Sequence, residues 1–165
     1  MEARPLRFKS ISAKMSNEPC SSRSDVTITD VTTEDLDELV AIRIEAMRES
    51  LERIKRFDPV RARERFTSNF DPQRTKFILL GHQRTGFFVT RILPHTLLLD
   101  HLYIIPAYQN QGIGRHVLSH IFKEADGVGL PVTVGALRES ASNRFYLRHG
   151  FKLVKSDEYD NYYQR

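Results

Sequence analysis

With 165 residues, 40% of them hydrophobic and 28% charged, the chain can build one packed core but not two ordinary domains, and its composition is not that of a disordered protein. Its longest apolar runs, such as 77–80, are far short of the roughly 20 residues of a membrane helix, and the single cysteine, Cys20, excludes an internal disulfide framework and a multi-cysteine zinc site. The net charge of +4 is uneven: Arg4, Arg7, Lys9, Lys14 and Arg23 against Glu2 and Glu18 leave the rest nearly neutral, which argues against a nucleic-acid-binding face.

Residues 1–24 are serine-rich, basic and without hydrophobic periodicity. They read as a disordered, dispensable extension, with Met15 as a second candidate start. With no targeting or membrane signal, the expected location is cytoplasmic. From residue 26 the pattern sharpens, and Val26, Ile28 and Val31 alternate as a short strand. Thr32 and Thr33 offer N-caps, with Asp35 near capping-box spacing, for a helix striped by Leu36, Val40, Ile44 and Met47. Residues 48–65 hold seven basic and four acidic side chains, and Asp58-Pro59 restarts a helix among them. Strands are expected at 76–80, 87–92 and 96–105, joined by connections short enough to require antiparallel neighbours. After Pro106 the period becomes helical, with Ile113, Val117, Leu118, Ile121, Phe122 and Ala125 on one face. Gly127 and Gly129 end that helix. A strand at 131–137, a short helix at 142–149 stopped by Gly150, and strands at 151–155 and 161–164 complete the chain. This order describes one mixed α/β (α+β) domain over residues 25–165.

The chemistry concentrates between Tyr103 and Arg115: a strand, a turn with two glycines, and the start of a helix. Unpaired amides at a helix N-terminus, reinforced by the helix dipole, form an anion cradle. Gly112 and Gly114 remove side chains that would keep a pyrophosphate off the backbone, and Arg115 adds a positive charge. A dinucleotide fingerprint would need a third glycine where Val117 stands, and no Gly-Lys-Ser/Thr is present. Beyond the next strand comes Asn143-Arg144-Phe145-Tyr146-Leu147-Arg148-His149-Gly150-Phe151.

Together these segments resemble the GCN5-related N-acetyltransferase (GNAT) superfamily. Gln109, Gly112 and Gly114 match its Gln/Arg-x-x-Gly-x-Gly/Ala loop. Phe145-Tyr146 and Gly150-Phe151 match its later signature, and Gly86-Phe87 fits the glycine that opens its third strand. The resemblance covers about residues 26–165. It implies a mostly antiparallel, twisted sheet with flanking helices, in which strands 96–105 and 131–137 are parallel and splay apart. It also implies acetyl-CoA as cosubstrate and no metal. The pantetheine arm would lie against backbone near Tyr103 and Ile104. The pyrophosphate would lie on the amides of Gln111, Gly112, Ile113, Gly114 and Arg115, with Gln109 and Asn110 in the same loop. The asparagine that many relatives carry after the later parallel strand is displaced here to Asn143, which is the remaining candidate for a cofactor contact.

Acetyl transfer from a thioester to an amine requires the ammonium to lose a proton, the developing oxyanion to meet donors, and the leaving thiolate to regain a proton. The resemblance makes Tyr146 the general acid. It places a base on the strand before the loop, where Asp100 and His101 both stand. Alternation lets only one of them face the acceptor. Asp100 is the first choice, directly or through water, and His101 is the alternative because its unperturbed pKa is near neutral. The acceptor is expected to be a primary amine on a small molecule or peptide. Residues 48–65 suit an acidic or phosphorylated acceptor or simply a solvated helix, while Glu45, Glu49 and Glu52 could bind an amine. A non-catalytic acyl-CoA-binding module is the competing reading, which Tyr146 argues against. No nucleic-acid or membrane partner is expected, and a homodimer would cover the edges of the terminal strands.

Overall fold

In the computed structural model, which describes Asp25–Arg165, short turns and capped helix starts divide the chain into seven strands and four α-helices. The expected extension, residues 1–24, lies outside the described residues. The elements are β1 (Val26–Asp30), α1 (Leu36–Arg53), α2 (Pro59–Ser68), β2 (Thr75–Leu80), β3 (Gln83–Leu93), β4 (Thr96–Ile104), α3 (Ile113–Val128), β5 (Val132–Leu137), α4 (Ser142–Arg148), β6 (Lys152–Ser156) and β7 (Asp160–Gln164). Asp58 caps α2, its carboxylate accepting from the Arg61 N–H at 3.0 Å, with Pro59 in the first turn as the sequence requires. Gly81 takes φ +61°, so the β2–β3 turn needs only Gly81 and His82, and β3 starts four residues earlier than its apolar run suggests.

The strands form one sheet in the order β1-β2-β3-β4-β5-β7-β6. Neighbours are antiparallel except β4 and β5, as expected. Successive strand residues point to opposite faces, so Phe77 and Phe87 pack under α1 and α2 while Ile78 and Phe88 pack under α3 and α4. On the first face α1 buries Leu39, Val40 and Ile42. Its last turns carry exposed Arg48–Glu52 and Arg53–Glu49 pairs instead of the expected Met47 contact. On the second face α3 buries Ile113, Val117, Leu118, Ile121 and Ala125, the stripe its period predicts. None of the described helices is long and apolar enough to cross a membrane.

Candidate active site

The site is organised by β4. Its first half is paired on both sides: Leu97, Leu98 and Leu99 register with Val132, Thr133 and Val134 of β5 and with Ile92, Arg91 and Thr90 of β3. Beyond Leu99 the pairing with β5 stops, and the two parallel strands separate as expected. At that point β4 also contains a bulge. Val89 pairs with His101 and Thr90 with Leu99, which leaves Asp100 as an extra residue. The extra residue reverses the faces of everything after it. Leu97 and Leu99 point into the α3 core, whereas His101 packs edge-on against Phe66 of α2 at 5.6 Å and stacks with Tyr103 at 5.6 Å.

The bulge corrects the expectation that alternation would separate Asp100 from His101. Asp100 Oδ2 lies 2.7 Å from Arg91 Nε and 3.9 Å from His101 Nε2, so both candidates stand together. Burial holds the His101 pKa down at about 4, leaving the ring neutral near pH 7. Its Nδ1 is 3.2 Å from the Tyr103 hydroxyl, which also accepts from Arg43 Nε at 3.3 Å. Arg43 donates through Nη1 to the Ala62 carbonyl at 2.6 Å, tying α1, α2 and β4 together. Sequence reading missed Arg43, since nothing local distinguishes it from its many neighbouring arginines.

The same register decides which backbone groups face the gap. Ile105 N–H donates to the Thr85 carbonyl at 2.9 Å, so by antiparallel alternation Tyr103 also bonds toward β3. Leu102 and Ile104 therefore turn their backbone groups toward β5. Of the two expected positions Ile104 faces the gap, while the Tyr103 carbonyl lies against Gly86, where any Cβ would collide with it. The Ile104 carbonyl accepts from Gln109 Nε2 at 2.8 Å, and Gln111 Nε2 donates to the Ala107 carbonyl at 3.1 Å. Both glutamine side chains thus shape the loop.

That loop delivers the start of α3. Asn110 and Gly112 take φ +61° and +79°, and the His116 N–H is the first to find an intrahelical acceptor, at Gly112. The amides of residues 112–115 precede it and are free to receive an anion. Ile113 is buried and can contribute only backbone, while Arg115 is exposed. The glycines differ in role. A Cβ on Gly112 would meet nothing within 4 Å, whereas one on Gly114 would sit 2.8 Å from Cζ of Phe145. Gly114 therefore allows α3 to approach α4.

Tyr146 projects from α4 into the core beside the gap, with its ring 5.3 Å from Phe151. Burial, with a smaller contribution from Tyr103, raises its pKa, so the phenol stays protonated. Among the described residues its hydroxyl has no hydrogen-bond partner, and no buried polar side-chain atom is left unsatisfied, which places that hydroxyl at an accessible edge. Asn143 is fully engaged elsewhere. Its Nδ2 donates to the carbonyls of Leu137 (2.8 Å), Arg138 (2.9 Å) and Ser140 (2.9 Å), and its Oδ1 accepts from Asn161 (2.9 Å) and Tyr163 (2.7 Å). It clamps the turn after β5 to β7.

The sequence model of the family described as Acetyltransferase (GNAT) domain matches residues 73–153, the span from β2 to β6. The chain belongs to the GNAT superfamily. Solved structures share the fold. PaiA N-acetyltransferase from Thermoplasma acidophilum, in complex with coenzyme A, aligns at 20% identity over 86% of this chain and 98% of its own, with a TM-score of 0.68. An acetyltransferase from Thermus thermophilus aligns at 20% identity over 85% and 96%, with a TM-score of 0.67. The ribosomal-protein-S18-alanine N-acetyltransferase from Escherichia coli aligns at 20% identity over 85% and 91%, with a TM-score of 0.63. No curated protein sequence matches significantly. Membership in the GNAT superfamily implies an acyltransferase with an acyl-CoA and an acceptor as substrates. Among the described residues of this GNAT domain no group of three His, Cys, Asp or Glu side chains is placed to hold a metal ion.

Two charged features resolve in the GNAT frame. Three of the six arginines of residues 48–65 answer nearby carboxylates: Arg48 and Arg53 pair with Glu52 and Glu49, and Arg63 reaches Asp37 at 2.5 Å. Glu49 and Glu52 are thereby committed to arginines. A cavity of about 750 Å³, walled by the end of α1, the end of β5 and the β6–β7 turn, was not anticipated. Its lining comes from distant segments, so no local pattern announces it.

Proposed function

We propose that this protein is an acetyl-CoA-dependent N-acetyltransferase that moves the acetyl group directly to a primary amine. The observation carrying this reading is the opening after Leu99 and Val134, with the free amides of α3 at one side of it and Tyr146 beside it. The residues present fit the cofactor. Leu102 and Ile104 offer backbone groups to the pantetheine amides, and residues 112–115 offer four N–H groups and the Arg115 charge to a pyrophosphate. The open space in front of Gly112 supports this fit. Acetyl-CoA, when bound, supplies the activated acyl group.

The chain supplies the proton handling. A phenol whose pKa is raised and whose hydroxyl lacks a fixed partner can give its proton to a departing thiolate, the role we assign to Tyr146. The ammonium proton goes, through water, to the Asp100–His101 pair. The neutral His101 ring keeps a lone pair available, and Arg91 fixes the carboxylate beside it. Asn143 acts by holding the turn after β5 in place.

Calorimetric titration of acetyl-CoA into wild type and Gly112→Trp tests the cofactor site, with thermal unfolding as the control for the loop. Tight binding lost in a folded variant supports the reading, and no binding to wild type overturns it. Tyr146→Phe should bind acetyl-CoA normally and lose about 100-fold in turnover. Unchanged turnover would remove Tyr146 from the chemistry.

A further inference from the structure

The cavity at the end of β5 is walled by two basic and two acidic residues. Val132, Val134 and Ala136 face the α3 core, so Leu137, which lines the cavity, turns toward α1. Arg53 Nη1 donates to the Glu139 carbonyl at 3.2 Å and anchors the end of α1 to this wall. Ser156 and Asn161, which also line it, pair with each other and, through Ala136, belong to the other face, so the cavity lies at the end of β5, between the end of α1 and the β6–β7 turn.

Four charged side chains line it: Arg56, Arg138, Glu139 and Glu158. None of them is in an ion pair among the described residues. The Arg56 guanidinium lies over the Tyr159 ring at 3.9 Å, which fixes its plane. Arg138 is steadied by the Asp157 carbonyl at 3.2 Å, and Glu158 accepts from the Tyr159 hydroxyl at 2.5 Å. Two held guanidinium groups suit a carboxylate, and the two carboxylates suit an ammonium. The balance also rejects. A polyamine would bring its extra cations against Arg56 and Arg138, and a phosphorylated amine would bring its charge against Glu139 and Glu158.

We infer that this cavity takes the acceptor and that the acceptor is zwitterionic, an amine that also carries a carboxylate, with amino acids as its chemical class. Arg56 and Arg138 hold the carboxylate, while Glu139 and Glu158 keep the site from favouring simple anions. This inference rests on the acetyltransferase reading for its place in the reaction.

The test is a thiol-release assay with acetyl-CoA and the standard amino acids, each against its own carboxamide. The carboxamide's amine is less basic, so a larger fraction of it is unprotonated near neutral pH, and chemistry alone favours the carboxamide. The expected result is a kcat/KM roughly tenfold higher for at least one free acid, the size of one charge-assisted hydrogen bond. Arg56→Gln and Arg138→Gln should each raise KM for that acid while leaving its carboxamide unchanged. Equal use of both forms, or equal losses for both in the variants, overturns the inference. Saturation-transfer NMR with the same amino acids and no cofactor separates the two levels. Arg56-dependent binding of the free acid in a protein that ignores acetyl-CoA would refute the acetyltransferase reading and keep the zwitterion site. Acetyl transfer without any preference for a carboxylate would do the reverse.

Discussion

Residues 97–99 and 102–104 belong to one strand and lie a few positions apart, yet they meet different surroundings. The first set is hydrogen-bonded between β3 and β5, with Leu97 and Leu99 sealed in the core. The second has β3 on one side only, with the gap on the other and a polar cluster of His101, Tyr103 and Arg43 over one face. One extra residue, Asp100, separates them. The difference teaches that a sheet can be a rigid core and a binding edge along a single strand, provided the change of role is concentrated in a bulge.

The most severe way to break this contrast is to insert one residue between Val89 and Thr90, where it would pair with Asp100 and remove the bulge. Pairing in continuous register would send His101 and Tyr103 into the α3 core and Leu102 to the other face. The expected outcome is loss of the folded state, visible as the disappearance of a cooperative unfolding transition. A folded insertion variant would show that the bulge is not what sets the faces. Next in size is Gly86→Ala, whose Cβ collides with the Tyr103 carbonyl. Because the obstacle is backbone, roughly 3 kcal/mol of stability should be lost, measured by urea denaturation. A third comparison sharpens the two halves directly. Leu99→Ala should cost about 3 kcal/mol as a sealed core site, and Leu102→Ala, only partly buried, about 1 kcal/mol. Equal costs would mean that the outer half is core as well.

The smallest effect concerns acid. The folded His101 pKa lies near 4, below its reference value of 6.5, so between these values the unfolded chain binds more protons. Stability from this residue is complete above about pH 6.5 and falls as the pH drops toward 4. His101→Gln should flatten that part of the stability profile, followed by thermal melting across the range. An unchanged slope would place the titration elsewhere.

Much of the frame was legible in the sequence because its causes are local. Short connections between apolar runs require antiparallel pairing, Asp58-Pro59 carries its own helix start, and the stripe from Ile113 to Ala125 fixes the buried face of α3. The loop glycines could be located from sequence, but not the role of Gly114. Its partner, Phe145, is remote in sequence and meets it only when α3 packs on α4. The bulge gave no signal either, since Asp100-His101 carries no glycine and looks like an ordinary alternating pair. Reading Tyr103 as facing the gap failed for that reason. Asn143 was identified as a polar residue near the site, yet two of its hydrogen bonds come from Asn161 and Tyr163 of β7, which no spacing rule connects to it.

The Gln109 side chain resting on the Ile104 carbonyl has a consequence for how size is discriminated among thioesters. An incoming pantetheine amide must share that oxygen or displace the glutamine, so this contact is largely an exchange and adds little net affinity. Short mimics that end at the pantetheine should then bind weakly. Only a molecule long enough to reach the amides of residues 112–115 gains an interaction with no internal competitor, which makes the far end of the cofactor, remote from the reacting carbon, the part by which the protein would tell it from smaller acyl carriers.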